Sequence, residues 1–209
     1  MLSDISWIAL WLDAPLQSWG FESRFERRHT GMFLSKSGVL GLICAAMGAP
    51  KGSDREREVL AAFAVSGMTA VRIPRRAKAW REGEFRERPI RRLTDFHTVA
   101  FTREAGSNPS RVKTLDAKFH RPISAVDRGS QMTPTWRDYL LDARFVVLLP
   151  VASLLAEEAA RALRDPVWGV WLGRKSCVPS SPVLVSARDV ANHSGVFPDK
   201  DAAWQAALA

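Results

Sequence analysis

Between Pro74 and Pro134 the chain carries fourteen Lys and Arg against seven Asp and Glu, and this lopsided stretch limits what the rest can fold into. All other positions together hold sixteen bases against fifteen acids, so nearly the whole net charge of +8 sits in one segment. Its apolar residues, Trp80, Phe85, Ile90, Phe96, Phe101 and Phe119, are too widely spaced for a helical stripe, and Gly83, Pro89, Gly106, Pro109, Pro122 and Gly129 interrupt them. Such a segment builds no second core. It reads either as a protruding basic arm or hairpin that follows a polyanion, releasing counterions while rings stack on bases, or as a solvated loop. Long inserts in compact domains are usually functional or linker-like, which favours the arm.

The core must then come from the flanks. With 209 residues and 46% hydrophobic content they suffice for one domain with, at most, a subdomain. Trp7-Ile8-Ala9-Leu10-Trp11-Leu12 is short and apolar on both faces, the pattern of a central strand covered on both sides. Ser35 or Ser37 can cap a helix through Val39, Leu40, Leu42, Ile43, Ala46 and Met47, with Gly48 as its stop. A second strand is expected over 68–73. After the insert, Phe145-Val146-Val147-Leu148-Leu149 is a strand stopped at Pro150, residues 153–164 form an amphipathic helix ended by Asp165-Pro166, and a last strand covers 167–172. The order is βαβ, insert, βαβ. That is an α+β, ferredoxin-like (RNA-recognition-motif-like) arrangement with an inserted basic thumb hairpin. The expected divisions are 1–73 and 135–190 as the two halves of a palm, 74–134 as the insert, and 191–209 as a C-terminal tail.

Several function classes drop out. No run of about 18 apolar residues suggests a membrane span, and Asp4 and Asp13 interrupt the start, so a cytoplasmic protein is expected. Cys44 and Cys177 have no CxxC spacing and the four histidines are isolated, so neither a metal site nor another cofactor is expected. Lys36-Ser37 lacks the second glycine of a phosphate-binding GxxxxGK[ST] loop, which argues against nucleotide hydrolysis.

What remains is phosphate contact without a catalytic pair. Three segments set Gly or Ser beside a base or ring: Gln17-Ser18-Trp19-Gly20, Ser35-Lys36-Ser37-Gly38 and Gly173-Arg174-Lys175-Ser176-Cys177. Gln17 can read a base edge and Trp19 stack on it, or Trp19 is a core ring. The amides at the Ser35 helix start suit an anion, or belong to a plain capped helix. Arg174 and Lys175, being adjacent, cannot both point into a core. Trp7 and Trp11 share one strand face, exposed for stacking or covered by a helix. The candidate RNA contacts are Gln17, Trp19, Gly20, Arg24, Arg28, Lys36, Ser37, His97, Arg174, Lys175 and Ser176, and in the insert Arg86, Arg88, Arg91, Arg92, Arg111 and Lys113.

Read in order, Pro15-Leu16-Gln17-Ser18-Trp19-Gly20, Ser35-Lys36-Ser37-Gly38-Val39-Leu40-Gly41-Leu42, Asp95-Phe96-His97-Thr98, Trp136-Arg137-Asp138-Tyr139-Leu140 with Asp142-Ala143-Arg144-Phe145, and Leu172-Gly173-Arg174-Lys175-Ser176-Cys177 resemble the Cas-five family of type I-E CRISPR surveillance complexes, called Cascade. The resemblance covers about residues 5–185, with a long insert and a short tail as departures. It implies a ferredoxin-like palm and a thumb, here 74–134, that hold the five-prime handle of CRISPR RNA and cap the backbone filament. The implied partners are the backbone subunit CasC at the thumb and the large subunit CasA at the palm, with target DNA reached indirectly and no membrane. A separate subunit, CasE, would cut the precursor RNA. A type I-C relative is itself the processing endoribonuclease, which makes His97, beside Asp95, and Tyr139, the only tyrosine, the alternative catalytic residues. A general basic RNA-binding module is the third reading.

Overall fold

A computed structural model describes residues 4–21, 26–64, 67–78, 85–102, 130–185 and 194–209. Arg24, Arg111 and Lys113 lie outside them. Among the described residues the fold is mixed α and β, with four helices and sheets that are antiparallel except where Arg27–Arg28 pairs parallel with Ser130–Leu141. Its central strand is β1, Ile5–Asp13, whose side chains alternate between two cores: Ile8, Leu10 and Leu12 enter the larger, and Trp7, Ala9 and Trp11 face the smaller. β1 pairs antiparallel with β9, Arg144–Ala152, from Ile5↔Ala152 to Asp13↔Arg144. β9 pairs in turn with β4, Thr69–Arg72, and the other edge of β1 takes β10, Val196–Phe197, giving the order β10-β1-β9-β4.

The larger core lies under α1, Lys36–Ala46, α2, Asp54–Ala64, and α3, Ser153–Arg164. α1 starts as expected: Ser35 is extended and its Oγ accepts from the Gly38 amide at 3.2 Å. Gly48, at φ +66, ends it in the left-handed conformation that glycine adopts without strain. The smaller core lies under α4, Lys200–Leu208, capped by Asp199, whose Oδ1 accepts from the Ala202 amide at 2.8 Å. Ala203 and Ala207 there meet Ala9, Val146 and Leu148, so the face bearing Trp7 and Trp11 is covered.

Three expectations are corrected. β9 does not stop at Pro150; it runs to Ala152, because β4 has ended opposite Leu148 and position 150 is an edge where a missing N–H costs little. Residues 167–172 are not a strand. Their apolar run closes the end of α1 instead: the Val167 and Trp168 amides donate to the carbonyls of Ala46 (2.9 Å) and Ala45 (3.3 Å), and the Val167 side chain packs where Gly48 leaves room. The edge of β1 is taken by 183–185, through the Leu10↔Leu184 bridge, and then by β10. The expected C-terminal tail is therefore, over 194–209, a strand and a helix of the core.

The described parts of the insert, 74–78, 85–102 and 130–134, are mostly β-strand. A hairpin of β5, Arg75–Lys78, and β6, Phe85–Arg88, leads into β7, Arg91–Thr102, which pairs antiparallel with β8, Ser130–Leu141, from Arg91↔Leu141 to Thr102↔Ser130. The other edge of β8 takes β2, Leu16–Gln17, and β3, Arg27–Arg28. The ribbon crosses position 134 without a break and fastens the insert to the loops after β1. Phe96 stays 56% exposed on it, edge-on to Trp136 at 5.6 Å, as expected of a segment with no core of its own.

Candidate nucleic-acid interface

The turn after Leu172 is held by a backbone that only glycine can supply. The Leu172 amide donates to the Cys177 carbonyl at 2.8 Å, and its carbonyl accepts from the Ser18 amide at 3.0 Å. Gly173 sits at φ +104, and a Cβ there would fall 1.6 Å from the Ser18 carbonyl oxygen. The turn is thus pressed onto the loop after β2. Arg174 stitches it further: its guanidinium lies 4.7 Å over the Tyr139 ring and donates to the carbonyls of Asp138 (3.2 Å) and Arg28 (2.9 Å). Arg174 is therefore half-buried as a brace, while Lys175 and Ser176 remain exposed. Burial pushes the Cys177 thiol upward, a packing residue as its position suggests.

Two candidates of the first segment turn inward. Gln17 is fully buried; its Nε2 donates to the carbonyls of Leu12 (3.1 Å) and Ala143 (2.7 Å), and its Oε1 accepts from the Trp19 indole at 3.0 Å. Trp19 is 1% exposed, and its ring lies against Gly38 of α1. A base-reading Gln17 with a stacking Trp19 does not fit this placement, because every polar atom of the pair is spent inside the fold. Thr30 completes the lock, its Oγ1 accepting from the Trp19 amide at 2.7 Å.

Around this lock the three segments meet in one groove of about 380 Å³. Gly20, Ser37, Gly41, Trp171, Arg174 and Lys175 are among its lining residues. A Cβ on Gly20 or Gly41 would meet nothing, so the groove is open where a ligand backbone could approach. The first turn of α1 faces it, where free amides and the helix dipole favour an anion. Lys36 is turned aside, its Nζ donating to the Ala64 carbonyl at 3.1 Å.

Sequence reasoning quoted Asp138 without giving it a role. It joins three elements: Oδ1 accepts from Thr94 on β7 at 2.7 Å, and Oδ2 meets His29 Nδ1 beside β3 at 2.8 Å. Burial by itself would raise this carboxyl. The hydrogen bonds from His29 and Thr94, with the charges of His29 and Arg92, outweigh it and hold the carboxyl below its ordinary value.

The alternative catalytic residues are not brought together. His97 lies beside Asp95 on β7, half-buried, whereas Tyr139 on β8 is buried beneath Arg174 and opposite Leu93. Four residues of strand separate the two levels, roughly 13 Å at the usual rise. Of the insert candidates, Arg86, Arg88 and Arg91 are exposed, and Arg92 reaches back to the Thr30 carbonyl at 3.4 Å. Arg28 is exposed on β3. Among the described residues no group of His, Cys, Asp and Glu is placed to hold a metal ion, and no helix is long and apolar enough to cross a membrane.

A family model described as CRISPR-associated protein (Cas_Cas5) matches residues 7–208. The CRISPR system Cascade subunit CasD of Escherichia coli (strain K12) is 31% identical over an alignment of 186 residues that covers 86% of this chain and 70% of that protein. A solved chain described as part of a CRISPR RNA-guided surveillance complex superposes with a TM-score of 0.56 at 30% identity, over 86% of this chain. The match spans 62% of that solved chain, less than two thirds of its length.

Proposed function

The chain belongs to the CRISPR-associated Cas5 family, and we propose that this protein is the non-catalytic subunit of a type I-E CRISPR surveillance complex that holds the five-prime handle of the guide RNA and caps the backbone filament. The observation that carries the reading is the convergence of three distant segments on one groove, with Lys175 exposed, Gly20 and Gly41 open, and the start of α1 facing it. A groove with amide donors, an exposed lysine and open glycines suits a sugar-phosphate backbone. Residues 1–73 and 135–190, completed by β10 and α4 from 194–209, act as a palm of ferredoxin-like type, with the antiparallel order β10-β1-β9-β4 in its favour. Residues 74–134 act as the thumb, presenting Arg86, Arg88 and Arg91 to the backbone subunit CasC and the guide. The palm meets the large subunit CasA, and target DNA is reached through it.

Co-purification of the tagged protein with the products of neighbouring genes, followed by sequencing of the bound RNA, tests this. RNA that begins with one fixed repeat-derived segment is the expected result, and random five-prime ends refute it. Lys175→Ala with Ser37→Ala should release RNA at lower salt while subunits still co-elute. Replacing 78–128 by a short Gly/Ser loop should leave the palm folded but abolish assembly, since loop length itself costs little. Substitution of His97 should leave precursor cleavage intact; its loss with binding retained would make the endoribonuclease reading the correct one.

A further inference from the structure

A second groove, of about 320 Å³, lies where the insert leaves the sheet, and it shares no lining residue with the first. Arg72, Arg75, Arg88, Arg91 and Arg144 line it, with Asp142 as its only acid. Three of these arginines are fixed from behind. Asp13, 8% exposed at the end of β1, pairs with both Arg75 and Arg144, the latter at 3.1 Å. Arg144 also lies 5.2 Å over the Trp11 ring, and Arg72 donates to the Arg88 carbonyl at 2.6 Å. Asp142 stands at φ +53, uncommon for a residue with a side chain, and in that conformation its carbonyl accepts Arg75 Nε at 2.9 Å while its amide donates to Pro15. Arg88 and Arg91 are exposed and form no ion pair among the described residues.

Five guanidinium groups against two carboxylates leave three unbalanced positive charges around a cavity of about 320 Å³. The contacts of Arg72, Arg75 and Arg144 account for their places, but no ion pair among the described residues offsets the charges of Arg88 and Arg91. A shared anion would. Guanidinium forks match phosphate oxygens bidentately, and the apolar wall of Ile73, Pro89, Ile90 and Leu141 offers a surface for sugar, with no ring for a base. We propose that this groove is a second nucleic-acid site, one that grips a phosphodiester backbone without reading bases, independently of the handle groove. The shared chemistry is the phosphodiester; its source is either the guide RNA or the target DNA.

The test is fluorescence anisotropy of the full chain with a labelled single-stranded RNA, the same sequence as single-stranded DNA, and duplex DNA, each across a salt series. Arg88→Ala with Arg91→Ala should flatten the slope of log affinity against log salt by about 1.4 on a single strand and about 1.8 on duplex, two phosphate contacts' worth. Arg91→Ala alone should remove half of that, which guards against misfolding of the double variant, and Arg88→Lys with Arg91→Lys should keep the slope. Loss on RNA alone assigns the guide, and loss on a DNA probe assigns the target. Unchanged slopes on all three probes overturn the proposal. Unchanged slopes with lost co-elution of partner subunits also overturn it, and assign the groove to an acidic protein surface. A slope change with Lys175→Ala but not here would leave the handle reading standing and remove this one; the reverse would do the opposite.

Discussion

Gly173→Ala isolates the contact on which the first groove depends. The added methyl would stand 1.6 Å from a backbone oxygen, so no side-chain rearrangement relieves it, and the turn must lift away from Ser18. An L-residue at φ +104 costs of order 1–3 kcal/mol by itself. Lifting the turn also breaks the Ser18 to Leu172 hydrogen bond and draws Arg174 off two carbonyls and the Tyr139 ring, about 1 kcal/mol for the first and about 2 kcal/mol for the rest. The expected destabilisation is roughly 4–6 kcal/mol, a large part of a usual folding free energy. For a chain of this length that corresponds to a fall in Tm of roughly 8–24 °C by circular dichroism. Gly20→Ala is the control: its methyl meets nothing, so the expected change is within about 0.5 kcal/mol. A Gly173→Ala protein melting within about 2 °C of the parent would refute the claim that this contact holds the turn.

Other outcomes follow from the same geometry. Asp138→Asn should cost about 1–3 kcal/mol near neutral pH, measured by urea unfolding. Because the folded carboxyl is held below its unfolded value, its contribution is present above the ordinary Asp range and is lost as pH falls through the folded value. The difference between parent and variant should therefore close in acid; a constant difference would contradict it. Gln17→Leu should cost about 3 kcal/mol or more, since it leaves two carbonyls and an indole N–H unpaired, while the folded fraction keeps its RNA preference in a competition assay. Cys44 and Cys177 are buried and burial raises both thiols, so a thiol reagent should label them only as denaturant unfolds the chain; rapid labelling of native protein would place one of them at the surface.

Elements specified by near neighbours were legible. The Ser35 cap, the Gly48 stop, the two-sided β1 and the helix over 153–164 depend on residues within a few positions. α2 was missed because only Val59 and Phe63 of its eleven residues are buried, too few for a stripe among its charges. The 167–172 run was misread because an apolar stretch serves a strand or a helix end equally well, and the deciding partners, Ala45 and Ala46, are more than a hundred residues away. Gln17 failed as a base reader for the same reason: Ala143, which takes its amide, is invisible from Gln17-Ser18-Trp19-Gly20. The three groove segments were each visible from their Gly and Ser, but their meeting depends on Gly173 touching Ser18. Nothing local marks Asp13 as the anchor of Arg75 and Arg144.

A β-sheet sheathed on both faces is closed to ligands, and in this molecule α4 shuts the face that Trp7 and Trp11 would otherwise offer. Recognition is thereby exiled to the rim, and the scaffold and the reader become separable parts. Gly20, Ser37, Gly41, Lys175 and Ser176 are exposed and belong to neither core, so they form a short alphabet that can be rewritten without touching what keeps the chain folded. On the function proposed above, retuning this protein toward a different nucleic-acid end is a matter of substituting five surface positions around a fixed Gly173, proline excepted within α1, with the parent's cores expected to persist.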